Sequence, residues 1–121
     1  MKTSLWADLL IGDESYTLMN LDHPEVNRRV IAEIDAGIDV YYDRRWEATG
    51  ILSTWLVEHP ERIRNKRILV LGAGVGAETL VLGRHGKHIW INDLAPTALE
   101  LCAEQLVQNG IHNYSTLLGC Y

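Results

Sequence analysis

The hydrophobic pattern follows one style up to about residue 66 and another beyond it. Leu5 to Ile11 and Tyr16 to Met19 are apolar-rich runs around Gly12-Asp13-Glu14-Ser15, a turn-forming cluster, so the chain is predicted to open with a β-hairpin. Pro24 then stands where a first helical residue belongs. Val26, Val30, Ile31 and Ile34 recur at helical spacing behind it, and Gly37 is placed to end the helix. An aromatic, charged connector, Tyr41-Tyr42-Asp43-Arg44-Arg45-Trp46, leads to a second predicted helix with Ala48, Ile51, Leu52, Trp55 and Leu56 on one face and Pro60 at its end. That helix is expected to pack against a sheet.

From Arg67 the pattern changes. Ile68-Leu69-Val70-Leu71 is a continuous apolar run, which fits a strand covered on both faces in a parallel sheet. A glycine-rich turn leads into a helix from about Ala77 to His85, and Ile89-Trp90-Ile91 forms a second strand closing at Asn92-Asp93. Pro96 opens another helix with Leu99, Cys102, Leu106 and Val107 inward and Thr97, Glu100, Glu104 and Gln108 outward. Gly110 ends it, and Tyr114 to Leu118 supplies a third strand. Strand, helix, strand, helix, strand is half of a doubly wound α/β sheet with three-layer αβα architecture. The chain divides into a hairpin and helix extension over 1–45 and an α/β core over 46–121.

Composition narrows the function. With 121 residues, 47% of them hydrophobic and 22% charged, the chain holds one small globular domain. A net charge of −5 leaves no cationic surplus for a phosphate backbone, so no nucleic-acid partner is expected, and a small molecule or a protein is the expected substrate. Cys102 and Cys120 form neither a CxxC pair nor a disulfide framework, which points to free thiols in a reducing, cytoplasmic setting. Asp8 interrupts the short apolar stretch after Lys2, and no run reaches the ~20 apolar residues of a membrane span. His85-Gly86-Lys87-His88 reads as a solvated loop rather than a metal site, and the basic run from Glu61 to Arg67 as a solvated connection.

The chemistry concentrates where Gly72-Ala73-Gly74-Val75-Gly76 directly follows a buried strand and Asp93 stands at the tip of the next. Glycines let the backbone turn sharply and approach a ligand with no Cβ in the way, while an acid at the second strand's end accepts hydrogen bonds from ribose hydroxyls. Together they outline a nucleoside pocket. Gly72, Gly74 and Ala77 also satisfy GxGxx(G/A), which keeps an NAD- or FAD-binding oxidoreductase as an alternative. Glu78 weighs against it. A carboxylate in the first turn of the following helix would stand beside a pyrophosphate, whereas S-adenosyl-L-methionine has no phosphate and carries a sulfonium and an ammonium.

Residues 46–118 resemble the Rossmann-like, seven-strand (class I) S-adenosylmethionine-dependent methyltransferases, in particular the protein lysine/histidine methyltransferases and the bacterial nicotinamide N-methylase-like relatives. Trp46-Glu47 resembles that family's Trp-containing motif before strand one, Leu71 to Gly76 its glycine loop, and Asn92-Asp93 its ribose-binding strand end. The resemblance implies S-adenosyl-L-methionine as cofactor and methyl transfer to a nitrogen of a protein side chain or small amine. It further implies that the Gly72-Ala73-Gly74 turn and Gly76 line the methionine and ribose part, that Asp93 holds the ribose, that Leu94 borders the adenine and that Trp46 walls the site. Two departures stand out. Val70 occupies a strand-one position where the family carries an acid, and the sequence runs only through the third of seven strands, so no catalytic residue is named. The expectation is therefore a fragment, inactive in isolation, with an open Arg67–Leu71 edge inviting self-association. A non-catalytic methyltransferase-like module is a further alternative.

Overall fold

A computed structural model describes residues 4–45 and 47–120. Strands β1 (Trp6–Ile11) and β2 (Glu14–Met19) form the antiparallel hairpin, with Ile11 opposite Glu14. The loop is thus Gly12-Asp13 alone, and Glu14 and Ser15, assigned to the turn from sequence, belong to β2. Gly12 has φ 61°, which a two-residue hairpin loop beginning with glycine accommodates without strain.

Helix α1 (Pro24–Asp35) starts at Pro24, with His23 Nδ1 accepting the Glu25 N–H, and ends before Gly37 at φ 83°. Its buried face differs from the sequence reading. Val26, Val30 and Glu33 are inward, while Ile31 and Ile34 are more than half exposed. Helix α2 (Glu47–Glu58) departs in the same way: Ser53, Leu56 and Val57 are buried against α3, and Ile51, Leu52 and Trp55 are exposed. Close approach selects a small residue such as Ser53, whose hydroxyl is satisfied by the Thr49 carbonyl at 2.7 Å. Trp55 instead stacks on His59.

Beyond a single 3₁₀ turn (Pro60–Arg62), β3 (Arg67–Val70), α3 (Glu78–His85), β4 (His88–Asp93), α4 (Pro96–Gln108) and β5 (Tyr114–Leu118) build a parallel sheet of order β3-β4-β5. Register runs from Arg67 opposite His88 to Val70 opposite Ile91, and from Ile89 opposite Tyr114 to Asp93 opposite Leu118. This is the Rossmann-like α/β architecture expected. Ile68, Val70, Ile89 and Ile91 pack beneath Leu80, Val81, Cys102 and Leu106 of α3 and α4, a core of nonpolar side chains excluded from water. The opposite face is different. There, among the described residues, Leu69 and Leu117 are 55% and 45% exposed, so the apolar run of β3 is covered on one face. Arg67 lies over the Trp90 ring on that side. No helix among the described residues is long and apolar enough to cross a membrane.

α4 ties the hairpin to this core through polar groups. Ala98, Leu99, Leu101, Cys102 and Leu106 are buried, with Val107, expected inward, half exposed. Asn109 just beyond the helix accepts the Thr17 N–H and donates to the Thr17 carbonyl, at 2.8 and 2.7 Å. One turn earlier, the fully buried Gln105 accepts the Met19 N–H at 2.9 Å. These two amides, spaced i, i+4, occupy the free edge of β2 as another strand would. Gln105→Leu would keep the volume and leave both the Met19 N–H and an Arg45 Nη2 N–H without this acceptor. A loss of about 2 kcal/mol is expected, read as a lower urea midpoint at unchanged slope; an unchanged midpoint would show that the amide contributes nothing.

Candidate functional site

At the C-terminal ends of β3 and β4, a cavity of about 320 Å³ opens between the glycine loop and the 38–45 connector. Gly72 (φ 58°) and Gly74 (φ 55°) both occupy the left-handed region, where a Cβ would clash with the backbone, so the loop's double reversal requires glycine. At Gly72 an added Cβ would meet nothing within 4 Å, so the requirement there is conformational alone. At Gly76 the Glu78 side chain folds back over the loop: its carboxyl carbon would lie 2.6 Å from an added Cβ, so a side chain at 76 would make Glu78 swing aside.

Asp93 ends β4 with its carboxylate turned to the loop. Oδ2 accepts the Gly74 N–H at 2.9 Å and Oδ1 accepts the Ala95 N–H at 3.1 Å. An ionised carboxylate offers about four acceptor directions, so capacity remains on the cavity side. Asn92 beside it donates to the Leu117 and Gly119 carbonyls, at 3.1 and 2.9 Å, and so fixes the neighbouring strand end. Gly72, Ala73, Gly74, Gly76, Asp93 and Leu94 all line the one cavity, with Leu94 64% exposed at its rim. Trp46 lies outside the described residues.

Three lining or supporting residues escaped the sequence reading. Tyr42 is buried against the loop, its Cβ 3.6 Å from where a Gly74 Cβ would stand, and its hydroxyl donates to Glu33 Oε1 at 2.8 Å. Glu33 Oε2 accepts the Thr97 N–H at 2.8 Å, so an acid from α1 caps α4, whose own N-cap, Ala95, has no side chain able to do so. Burial pushes the Glu33 carboxyl up, but the hydrogen bonds from Thr97 and Tyr42 outweigh it and hold the group below its usual 4.5. Arg45 donates through Nη1 to the Met19 carbonyl and through Nη2 to Gln105 Oε1, at 2.9 and 2.7 Å. The only sequence signal among the three was an acid, Glu33, in line with Val26 and Val30 on the α1 stripe.

The histidine pair was misread as a solvated loop. His85 Nε2 lies 2.7 Å from Glu14, which also accepts the Tyr16 hydroxyl at 2.6 Å, and His88 Nε2 lies 2.9 Å from Ser115 Oγ. Each histidine joins a different pair of elements.

No protein-family model and no curated protein matches the sequence. Solved structures do. A SAM-dependent methyltransferase from Streptococcus mutans, so described provisionally, is 15% identical over 99% of this chain and 28% of its own, with a TM-score of 0.63. The Pyrococcus abyssi tRNA (uracil-54, C5)-methyltransferase in complex with S-adenosyl-L-homocysteine is 15% identical over 97% of this chain and 24% of its own, at 0.55. A dimethyladenosine transferase from Plasmodium falciparum is 21% identical over 58% and 25%, at 0.51. This chain thus spans about a quarter of each and shares the class I methyltransferase fold.

Two expectations are corrected. The similar structures do not single out the protein lysine/histidine or nicotinamide N-methylase-like group. The expectation of a protein or small-amine substrate with no nucleic-acid partner is overturned by the match to a tRNA methyltransferase along nearly the whole chain. The net charge of −5 describes these 121 residues alone, and the tRNA methyltransferase extends well beyond the 24% of its own length that they match.

Glu33 supplies a pH test of the site's framework. A carboxyl held below 4.5 when folded stabilises the protein fully above that pH, and the contribution is lost as pH falls through the lowered value. Glu33→Gln is expected to lower stability at pH 7 and to lose that effect at the acid end of a urea-unfolding series. An equal deficit at every pH would contradict it.

Proposed function

We propose that this chain binds S-adenosyl-L-methionine in the cavity between the glycine loop and the connector, as the cofactor-binding part of a methyltransferase. The observation that carries the reading is Asp93: its carboxylate is locked to the Gly74 N–H at 2.9 Å at the strand tip, with acceptor capacity left toward the cavity. The residues fit the cofactor. A cavity of about 320 Å³ is within the size range of small-molecule pockets, the glycines leave backbone bare for close approach, and both signs of charge are present in Glu78 and Arg45.

In this reading Asp93 accepts from the ribose hydroxyls, the Gly72–Gly76 backbone passes along the methionine and ribose, and Leu94 borders the adenine. Trp46 keeps its assignment to the wall on sequence grounds. Residues 46–121 carry the loop and Asp93, and the 1–45 extension closes the site through Glu33 and Tyr42. When bound, the cofactor supplies a sulfonium-activated methyl group. The chain's own contribution is to orient it and exclude water on the Tyr42 side. The Glu78 carboxylate over Gly76 disfavours a dinucleotide, whose pyrophosphate would lie beside it. The tRNA methyltransferase of the same fold supports a nucleic acid as methyl acceptor.

Parallel calorimetric titrations with S-adenosylhomocysteine and NADH test the reading. Binding of the former only is expected, weakened at least tenfold by Asp93→Ala through loss of charge-assisted ribose hydrogen bonds. NADH binding without S-adenosylhomocysteine binding would overturn it.

A further inference from the structure

Among the described residues, two buried polar atoms on side chains that line the cavity have no hydrogen-bond partner: Glu78 Oε2 and Arg45 Nε. Leaving a buried polar atom without a partner is costly, so each one calls for a water, ion or ligand to complete it. The two come from different elements. Glu78 opens α3, and Arg45 precedes α2 with its Nη atoms already committed to Met19 and Gln105. Arg45 therefore presents a fixed guanidinium whose Nε–H has no partner among the described residues. Glu78 is held over Gly76, and burial raises its carboxyl while the Arg45 charge opposes that shift.

Opposite charges on two residues that line one cavity are complementary to a zwitterion. We infer that Glu78 and Arg45 read the amino-acid end of the cofactor, Glu78 Oε2 accepting from the α-ammonium and Arg45 Nε donating to the α-carboxylate. The inference rests on the cavity being the S-adenosylmethionine site and adds two specificity-determining residues to it. Val70, apolar at the end of β3, offers no charge for this purpose, so Glu78 is the acid available on the loop side. The arrangement selects by chemistry: a ligand with an ammonium there gains a charge-assisted hydrogen bond, and one with a phosphate meets a carboxylate.

The test uses the 121-residue chain, its Glu78→Gln variant and three ligands: S-adenosylhomocysteine, its deamino analogue lacking the ammonium, and its decarboxylated analogue lacking the carboxylate. Wild type is expected to bind both analogues at least tenfold more weakly than S-adenosylhomocysteine. Glu78→Gln is expected to weaken S-adenosylhomocysteine by a similar factor and leave the deamino analogue unchanged, which also shows that the variant is folded. If wild type binds all three alike, or if the variant loses equal affinity for S-adenosylhomocysteine and the deamino analogue, Glu78 and Arg45 do not read this end, and the cofactor site stands without them. If wild type binds none of the three, the cofactor reading itself fails and takes the inference with it.

Discussion

The hydrogen bond from the Gly74 N–H to Asp93 Oδ2 is the constraint on which the site depends. A loop with glycine at three of five positions loses more conformational entropy on ordering than one without glycine, so it needs a tether to hold one path. Asp93 supplies the tether from the adjacent strand, and its second oxygen takes the Ala95 N–H at the start of α4. One carboxylate thereby sets the loop that leads into α3 and the turn that leads into α4. Parallel pairing of β3 with β4 makes this possible, since it brings both strand ends to the same edge.

Around that point, α4 acts as the frame for the amino-terminal third of the chain. Thr97 near its start holds Glu33 and through it Tyr42, Gln105 holds Met19 and Arg45, and Asn109 beyond its end holds Thr17. These contacts are directional. Apolar packing alone would let the hairpin slide, whereas side-chain amides matched to backbone groups of β2 admit one register. The connector is thus presented to the glycine loop at a defined height, and the cavity is shaped in part by the hydrogen bonds of its lining residues Tyr42 and Arg45. The outward acids of α4 add little by comparison: Glu100 and Glu104 meet Arg29 across a solvent-exposed surface.

The strands and α4 were legible in the sequence because proline, glycine and unbroken apolar runs mark them directly. The helix faces of α1 and α2 were not. Periodicity counts hydrophobic residues, but the buried side is chosen by what lies opposite, and here Glu33 and Ser53 carry satisfied polar groups into it while Ile34 and Ile51 remain outside. Likewise Leu69 follows the pattern of a strand covered twice and is covered once among the described residues. The glycine loop and Asp93 could be placed because strand, turn, helix and strand follow each other locally. Tyr42, Arg45 and Glu33 reach the site through partners distant in sequence, which no local period encodes.

The central claim is that the glycine loop and Asp93 face one adenosine. Amide chemical-shift mapping of the labelled chain during a titration with S-adenosylhomocysteine examines it residue by residue. The account predicts the largest shifts at Gly72, Gly74, Gly76, Leu94 and Ala95, with Gly74 and Ala95 moving together because they share the Asp93 carboxylate. Saturable shifts confined to the hairpin or to the bare face of the sheet, with those amides unmoved, would contradict it.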